Sequence, residues 1–385
     1  MKKSTLSVAA LLAMTAATAH AQSSVTLYGL IDAGITYTNN QGGHSNWAQT
    51  SGNLNGSRFG VRGNEDLGGG LSAIFTLENG FSINSGALGQ NGRMFGRQAF
   101  VGLSSKQYGA VTLGRQYDSV VDYLGPFSLT GTGWGGTYFA HPFDNDNLDN
   151  SIRINNAVKY TSTNYGGLKF GALYGFSNST NFSNNRAYSF GASYSYGGLN
   201  VGAGYLQFNN DMNNQALNSA SDAGAQTGTF AFAAARQQTF GAGINYTFGP
   251  ATAGFVYTQT NLGGTDNGFV SPGQSGTSAG LQFNANSARF QNFEGNIRYS
   301  LTPAITIAGA YTYTRSNFGG GVNPNFNQVS LYTDYALSKR TDLFLVSEYQ
   351  HVSSNPEVTA FINAIGSASS TQSQVGVTAG IRHKF

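Results

Sequence analysis

Apolar and polar residues alternate with a period of two through most of the chain, and few folds satisfy that pattern at such length. Near the start, Val25, Leu27, Ile31, Ala33, Ile35 and Tyr37 share one parity, while Thr26, Tyr28, Asp32, Gly34 and Thr36 share the other. At the end, Val375, Val377, Ala379, Ile381, His383 and Phe385 alternate with Gly376, Thr378, Gly380, Arg382 and Lys384. Successive side chains of a strand point to opposite faces, so each segment reads as a strand with one apolar face. Similar segments recur near 56–66, 70–81, 94–105, 109–117, 153–162, 168–176, 187–196, 199–208, 236–248, 250–260, 288–300, 304–316, 327–337 and 341–352. With the first and last they make about sixteen strands, each long enough to cross a bilayer at a tilt.

The connections alternate as well. Tight links occur at 65–70, 104–109, 162–167, 196–198, 248–250, 300–303 and 337–341, and long Asn-, Gly- and Ser-rich stretches such as 209–235 and 261–287 lie between them. Short turns on one rim and long loops on the other are the pattern of an outer-membrane barrel. A soluble sandwich would need a buried apolar core rather than uniformly one-sided strands. No boundary divides the chain after residue 21.

Residues 1–21 read M-K-K, an apolar run from Leu6 to Thr18, then Ala-His-Ala, which is the form of a cleaved signal peptide; the barrel is expected to occupy 22–385. Basic residues number 20 against 17 acids, and without Lys2 and Lys3 the balance is 18 against 17, so the net charge falls from +3 to about +1. That leaves no footprint for nucleic acid. Without cysteine there is no disulfide or thiolate metal site. Only 10% of residues are charged, against roughly 25% in ordinary soluble domains, yet nothing after residue 21 offers an apolar run long enough for a transmembrane helix. An exported chain that is poor in charge, rich in Tyr, Phe and Gly, and free of long apolar runs fits a closed barrel. Tyr196, Tyr246, Phe248, Tyr299, Tyr311, Tyr313, Tyr335 and Tyr349 fall near strand ends, where amphipathic rings favour the lipid–water interface.

One connection exceeds the usual few residues by far. The stretch from Arg115 to Arg153 follows one strand and precedes another, and its Pro126, its glycines and its Trp134 suit a compact segment packed by its own side chains. It is expected to fold into the barrel mouth and narrow it.

The segments Q-S-S-V-T-L-Y-G-L-I-D-A-G-I from Gln22, G-S-R-F-G-V-R-G-N-E-D-L-G-G-G-L-S-A-I-F-T-L-E at 56–78, G-R-Q-A-F-V-G-L-S-S at 96–105 and V-T-L-G-R-Q-Y-D at 111–118, with the terminal Phe385, resemble the general porins of Gram-negative bacteria in their β-proteobacterial branch. The resemblance covers the whole mature chain. It implies an all-β fold, a 16-stranded antiparallel transmembrane β-barrel with an inward-folded third loop. It also implies a homotrimer among outer-membrane lipid and lipopolysaccharide, with Phe385 read by the barrel-assembly machinery. The implied activity is passive diffusion of small hydrophilic solutes and ions, without a cofactor.

Matched motif by motif, the family's constriction places Arg58, Arg97 and Arg153 on the wall with Glu78, facing loop acids of which Asp118 and Asp122 are the first. Parity agrees for three: Arg58 opposes Phe59 and Val61, Glu78 opposes Phe75 and Leu77, and Arg153 opposes Ile154 and Val158. Arg97 shares the parity of Ala99 and Val101, so its inward placement rests on the resemblance. Many general porins carry P-E-F-G-G in the inward loop, where this chain has T-G-W-G-G at 132–136, and the loss of that carboxylate predicts an anion preference. The principal rival is a substrate-specific channel, with Tyr28, Tyr123 and Trp134 as a candidate ladder. Catalysis finds no support: His44, His141 and His351 read as loop bystanders with no Ser-His-Asp signature. Asp144, Asp146 and Asp149 read as a solvated acidic turn, lacking the glycine and distal glutamate of an EF-hand.

Overall fold

The computed structural model describes residues 24–180, 182–209, 224–225, 232, 234–264, 286–356 and 358–385. The expected signal peptide and most of the two long loops at 209–235 and 261–287 lie outside them.

Seventeen strands form one antiparallel sheet: β1 (Ser24–Gln41), β2 (His44–Ser51), β3 (Arg58–Gly68), β4 (Leu71–Gly80), β5 (Gln98–Ser105), β6 (Gly109–Gln116), β7 (Ile154–Thr161), β8 (Leu168–Gly175), β9 (Arg186–Tyr196), β10 (Leu199–Asn209), β11 (Arg236–Phe248), β12 (Ala251–Gly263), β13 (Ser287–Ser300), β14 (Ile305–Asn317), β15 (Asn325–Ala336), β16 (Thr341–Ser353) and β17 (Ser373–Lys384). Apart from β2 and β3, each pairs with its neighbours in sequence, and β17 returns to β1 with Leu30 opposite Lys384 and Thr38 opposite Gly376. The sheet is therefore closed. Both β2 and β3 pair with β1, β2 along its second half and β3 along its first, so together they make one stave and the barrel has sixteen. Closure is completed by the last residue: Gly29 and Phe385 exchange backbone hydrogen bonds at 3.0 Å.

Alternation survives as burial. In β16, Leu343, Leu345 and Tyr349 are exposed while Asp342, Phe344, Val346, Glu348 and Gln350 are buried. Exposed aliphatics such as Val25, Ile35, Val101, Leu113 and Leu331 circle the outside, an inversion of the soluble pattern that only lipid accommodates. No helix among the described residues is long and apolar enough to cross a membrane. Of the predicted belt residues, Tyr196, Tyr246, Phe248, Tyr299, Tyr311, Tyr335 and Tyr349 are exposed and Tyr313 is half-buried.

Residues 52–57, which interrupt the second stave, leave the sheet plane and bury Leu54 and Asn53. The Asn53 amide donates to Thr36, Thr50 and Thr378 at 2.9–3.1 Å, and Gly136 sits so close to the Leu54 carbonyl that no side chain would fit there. The strand expected from 56 begins only at Arg58, and neither this bulge nor β2 is among the expected segments.

Candidate functional site: a basic waist

The connection between β6 and β7, residues 117–153, bonds along the buried face of the sheet well beyond its own flanking strands. It opens with a short helix, α1 (Ser119–Tyr123), capped by Asp118, whose carboxylate accepts from the Val120 and Val121 amides and from Asn147 Nδ2 at 2.7 Å. Glycines on β8–β11 make room for α1 and the turn after it. A Cβ at Gly204 would meet Val120, one at Gly241 would meet Leu124, and those at Gly202 and Gly243 would meet Phe127, all but the first within 3 Å. Further along, Ser128 Oγ and the Leu129 amide donate to Glu294 on β13, Gln328 on β15 donates to the Ala140 carbonyl, and Thr378 on β17 donates to Tyr138.

His141 fixes the middle of this segment. It is fully buried, with Nδ1 2.6 Å from Asp146 and Nε2 3.0 Å from Glu294. Both ring nitrogens face carboxylates, so both must donate and the ring is an imidazolium. Burial is the largest influence and lowers its pKa, but Asp146 and Glu294 outweigh it and push it up to about 10. The acidic turn is likewise buried and bonded: Asp146 accepts from Thr258 on β12, and Asp144 accepts from the amides of Asp149 and Ser151 at 3.0 Å. The bystander reading of His141 and the solvated reading of this turn are corrected by those partners.

The four wall residues expected from the sequence meet in one place. Arg58, at the start of β3, and Arg153 both keep a buried Nε without a hydrogen-bond partner. Glu78 on β4 accepts from Arg97 Nε at 2.8 Å and from Tyr28 at 3.0 Å. Tyr117 joins two of the arginines, accepting from Arg97 Nη2 at 2.9 Å while its ring lies 5.5 Å from the Arg153 guanidinium. Arg97 is buried against the parity rule because β5 begins only at Gln98, so the rule does not govern it.

Arg58, Arg97 and Arg153 line an open cavity of about 810 Å³, together with Arg382, Lys384 and Asp149. None of the last three is expected at the constriction: Asp149 reads as part of a solvated acidic turn, and Arg382 and Lys384 have no assigned role although the phase of β17 sets them opposite Val375 and Ile381. Arg382 pairs with Asp342 at 3.0 Å and donates to Asn55 and to the Gly133 carbonyl, tying the 52–57 bulge to the loop. Burial, reinforced by Asp144, holds Asp149 above the usual carboxylate range.

None of the three predicted constriction acids lines this cavity, Glu78 being buried in its bonds to Arg97 and Tyr28. Asp118 is fully buried as the helix cap, where burial and the Asp122 carboxylate push it up to about 6. Asp122 is paired with Lys159 of β7. Pro126 sits exposed in the turn 125–127, and Trp134 lies against Tyr332 with the Arg298 guanidinium 5.2 Å from its ring.

A closed antiparallel barrel with lipid-facing aliphatics, a polar interior and a charged opening defines an outer-membrane diffusion channel. Residues 7–355 match the model of the Gram-negative porin family, and the chain belongs to that family. It is 33% identical to an outer membrane porin protein of Bordetella pertussis and 30% identical to outer membrane porin protein 32 of Delftia acidovorans, each alignment covering both chains in full. The anion-selective porin from Comamonas acidovorans superposes with a TM-score of 0.73 at 25% identity, over 94% of this chain and all of that one. Fold and family point to a channel rather than an enzyme.

Proposed function

We propose that the channel is an anion-preferring general diffusion pore whose waist is set by residues 117–153 lying inside the barrel. The observation that carries this is the lining of the cavity, in which Arg58, Arg97, Arg153, Arg382 and Lys384 stand against the single carboxylate of Asp149. Arg97 and Arg382 are neutralised by Glu78 and Asp342, whereas Arg58, Arg153 and Lys384 form no ion pair with a described residue. Guanidinium groups stay charged at any physiological pH, and the low-dielectric wall focuses their field within a screening length of about 8 Å. The relative from Comamonas, described as anion-selective, supports the same sign.

Contacts of the segment with β9–β17 support its inward position, since every wall residue it bonds lies on the buried phase. Tyr123 is buried in the glycine patch and Tyr28 is bonded to Glu78, which leaves Trp134 alone of the candidate aromatic ladder and favours a general pore over a substrate-specific one. The same reading includes a homotrimer, a cleaved leader at 1–21 and Phe385 as an assembly signal. Zero-current potentials across a KCl gradient in planar bilayers test it. An anion-selective sign is expected, moving toward cations in Arg58→Glu, and a cation-selective wild type overturns the proposal.

A further inference from the structure

The outward phase of the strands carries a second pattern that conduction does not use. From turn end to loop end, the outward residues of β11 run Tyr246, Ile244, Ala242, Phe240, Gln238, Arg236. Those of β13 run Tyr299, Ile297, Gly295, Phe293, Gln291, Arg289. On β14 the series ends Tyr311, Tyr313, Arg315, and on β9 Phe190, Tyr188, Arg186. Apolar and aromatic residues give way through amides to arginine within about 13 Å of strand. That gradient marks where hydrocarbon ends.

The amide level is itself a bonded belt. Gln238 Nε2 donates to Tyr205 at 3.1 Å and to Gln207 at 2.8 Å, and Gln291 Nε2 donates to Tyr257 and Gln259 at 3.1 Å. Register puts Arg186 level with Asn209 and Asn209 level with Arg236, so these two arginines stand two strands apart; Arg289 lies two strands beyond Arg236 and Arg315 one further. No carboxylate shares this face of β9–β16: Glu294, Asp334, Asp342 and Glu348 are all buried on the other phase. Among the described residues none of the four arginines has an ion-pair partner. Arg289 and Arg315, with Asn317, Asn323, Asn325 and Ser354, line a depression of about 350 Å³. Below Arg186 and Arg236, Ala192, Ala203 and Ala242 lie side by side in register and floor an apolar groove of about 560 Å³ walled by Tyr194, Ile244 and Phe255.

We propose that this row binds the phosphate groups of an anionic lipid headgroup in the outer leaflet, with an acyl chain of that lipid in the alanine groove. Lipid fits better than a second copy of the chain. A copy would have to present acids on its own outward face, and the acids of β13–β16 point inward. The arginines stand at the rim of the long loops, directly above the aromatic level, where headgroup phosphates lie. A groove floored by alanines and walled by rings suits a single chain of hydrocarbon.

The test is native mass spectrometry of delipidated protein titrated with bis-phosphorylated lipid A, in parallel with its dephosphorylated form. The phosphorylated lipid is expected to bind more tightly, with inorganic phosphate at millimolar concentration failing to displace it. In Arg236→Gln/Arg289→Gln/Arg315→Gln that affinity is expected to fall about a hundredfold, from the usual worth of a basic side chain near a charged headgroup layer, while single-channel conductance stays at the wild-type value. Equal binding of the two lipids overturns the proposal without any variant, as does undiminished retention by the triple variant or displacement by inorganic phosphate.

Discussion

Replacing His141 by alanine should loosen residues 117–153 without damaging the barrel. The substitution leaves Asp146 and Glu294 facing a void with no cation between them, in a site where the imidazole is wholly buried. Breaking a buried pair by removing one partner costs about 3–5 kcal/mol. The pKa gives a consistent scale: a rise from 6.5 to about 10 corresponds to at most about 5 kcal/mol. Each 1.4 kcal/mol is a factor of ten, so the ratio of attached to detached segment should fall at least a hundredfold. Ser128 and Leu129 still hold Glu294, and Asp118 still caps α1, so the loss is confined to the arm around 138–147. Single-channel recordings of His141→Ala should show noisier current with long-lived substates, and chymotrypsin should nick the chain near Tyr138 or Phe143. Because the folded pKa lies above the unfolded one, the contribution is whole below about pH 6.5 and erodes as pH rises through about 10. The wild type should therefore acquire the mutant's noise above pH 10. Quiet, protease-resistant His141→Ala channels at pH 7 would refute the latch.

Three further outcomes follow from the proposed waist and its anchors. Asp149, the cavity's single carboxylate, is held above its ordinary range, so it loses charge on moderate acidification; anion preference in reversal-potential measurements should increase from pH 7.5 to 5.5, and Asp149→Asn should abolish the change. Asp118→Ala removes a helix cap worth about 1 kcal/mol and leaves the buried Asn147 amide with its Ile152 bond alone, at roughly 1–3 kcal/mol more; increased current noise with unaltered selectivity is expected. Gly243→Val places a side chain within 3 Å of where Phe127 now lies; displacement of the segment should change the conductance, and an unchanged value would show that Phe127 does not rest there.

Much of the fold was legible because a membrane barrel presents its strands one-sidedly, and burial in β16 repeats the alternation of the letters. Parity located Arg58 and Glu78 for the same reason. It misled at Arg97, since phase has meaning only within a strand and β5 starts one residue later. The bulge at 52–57 was invisible because its small polar residues carry no pattern of their own, whereas Asn53 is bonded to three threonines of β1, β2 and β17. His141 and the acids after it looked like loop residues; only the inner wall, with Glu294, Thr258 and Asn292 arriving from β12 and β13, makes them a buried network. Partners distant in sequence decide such sites, and a local pattern cannot report them.

The proposed waist rests on one asymmetry of composition around the barrel. On β8–β11 the inward positions Gly171, Gly191, Gly202, Gly204, Gly241 and Gly243 remove side chains from the wall, and the apolar turn of Val120, Tyr123, Leu124 and Phe127 occupies the space so vacated. Across the barrel, β3, β4 and β17 carry Arg58, Glu78 and Arg382 inward, side chains too long and too polar to pack against that turn. Folding therefore pulls residues 117–129 toward the glycine side by apolar burial and leaves water beside the arginines. Pore width and fixed charge are thus coupled. Any substitution that fills the glycine patch drives the segment toward the basic wall, narrowing the path and concentrating its positive field together.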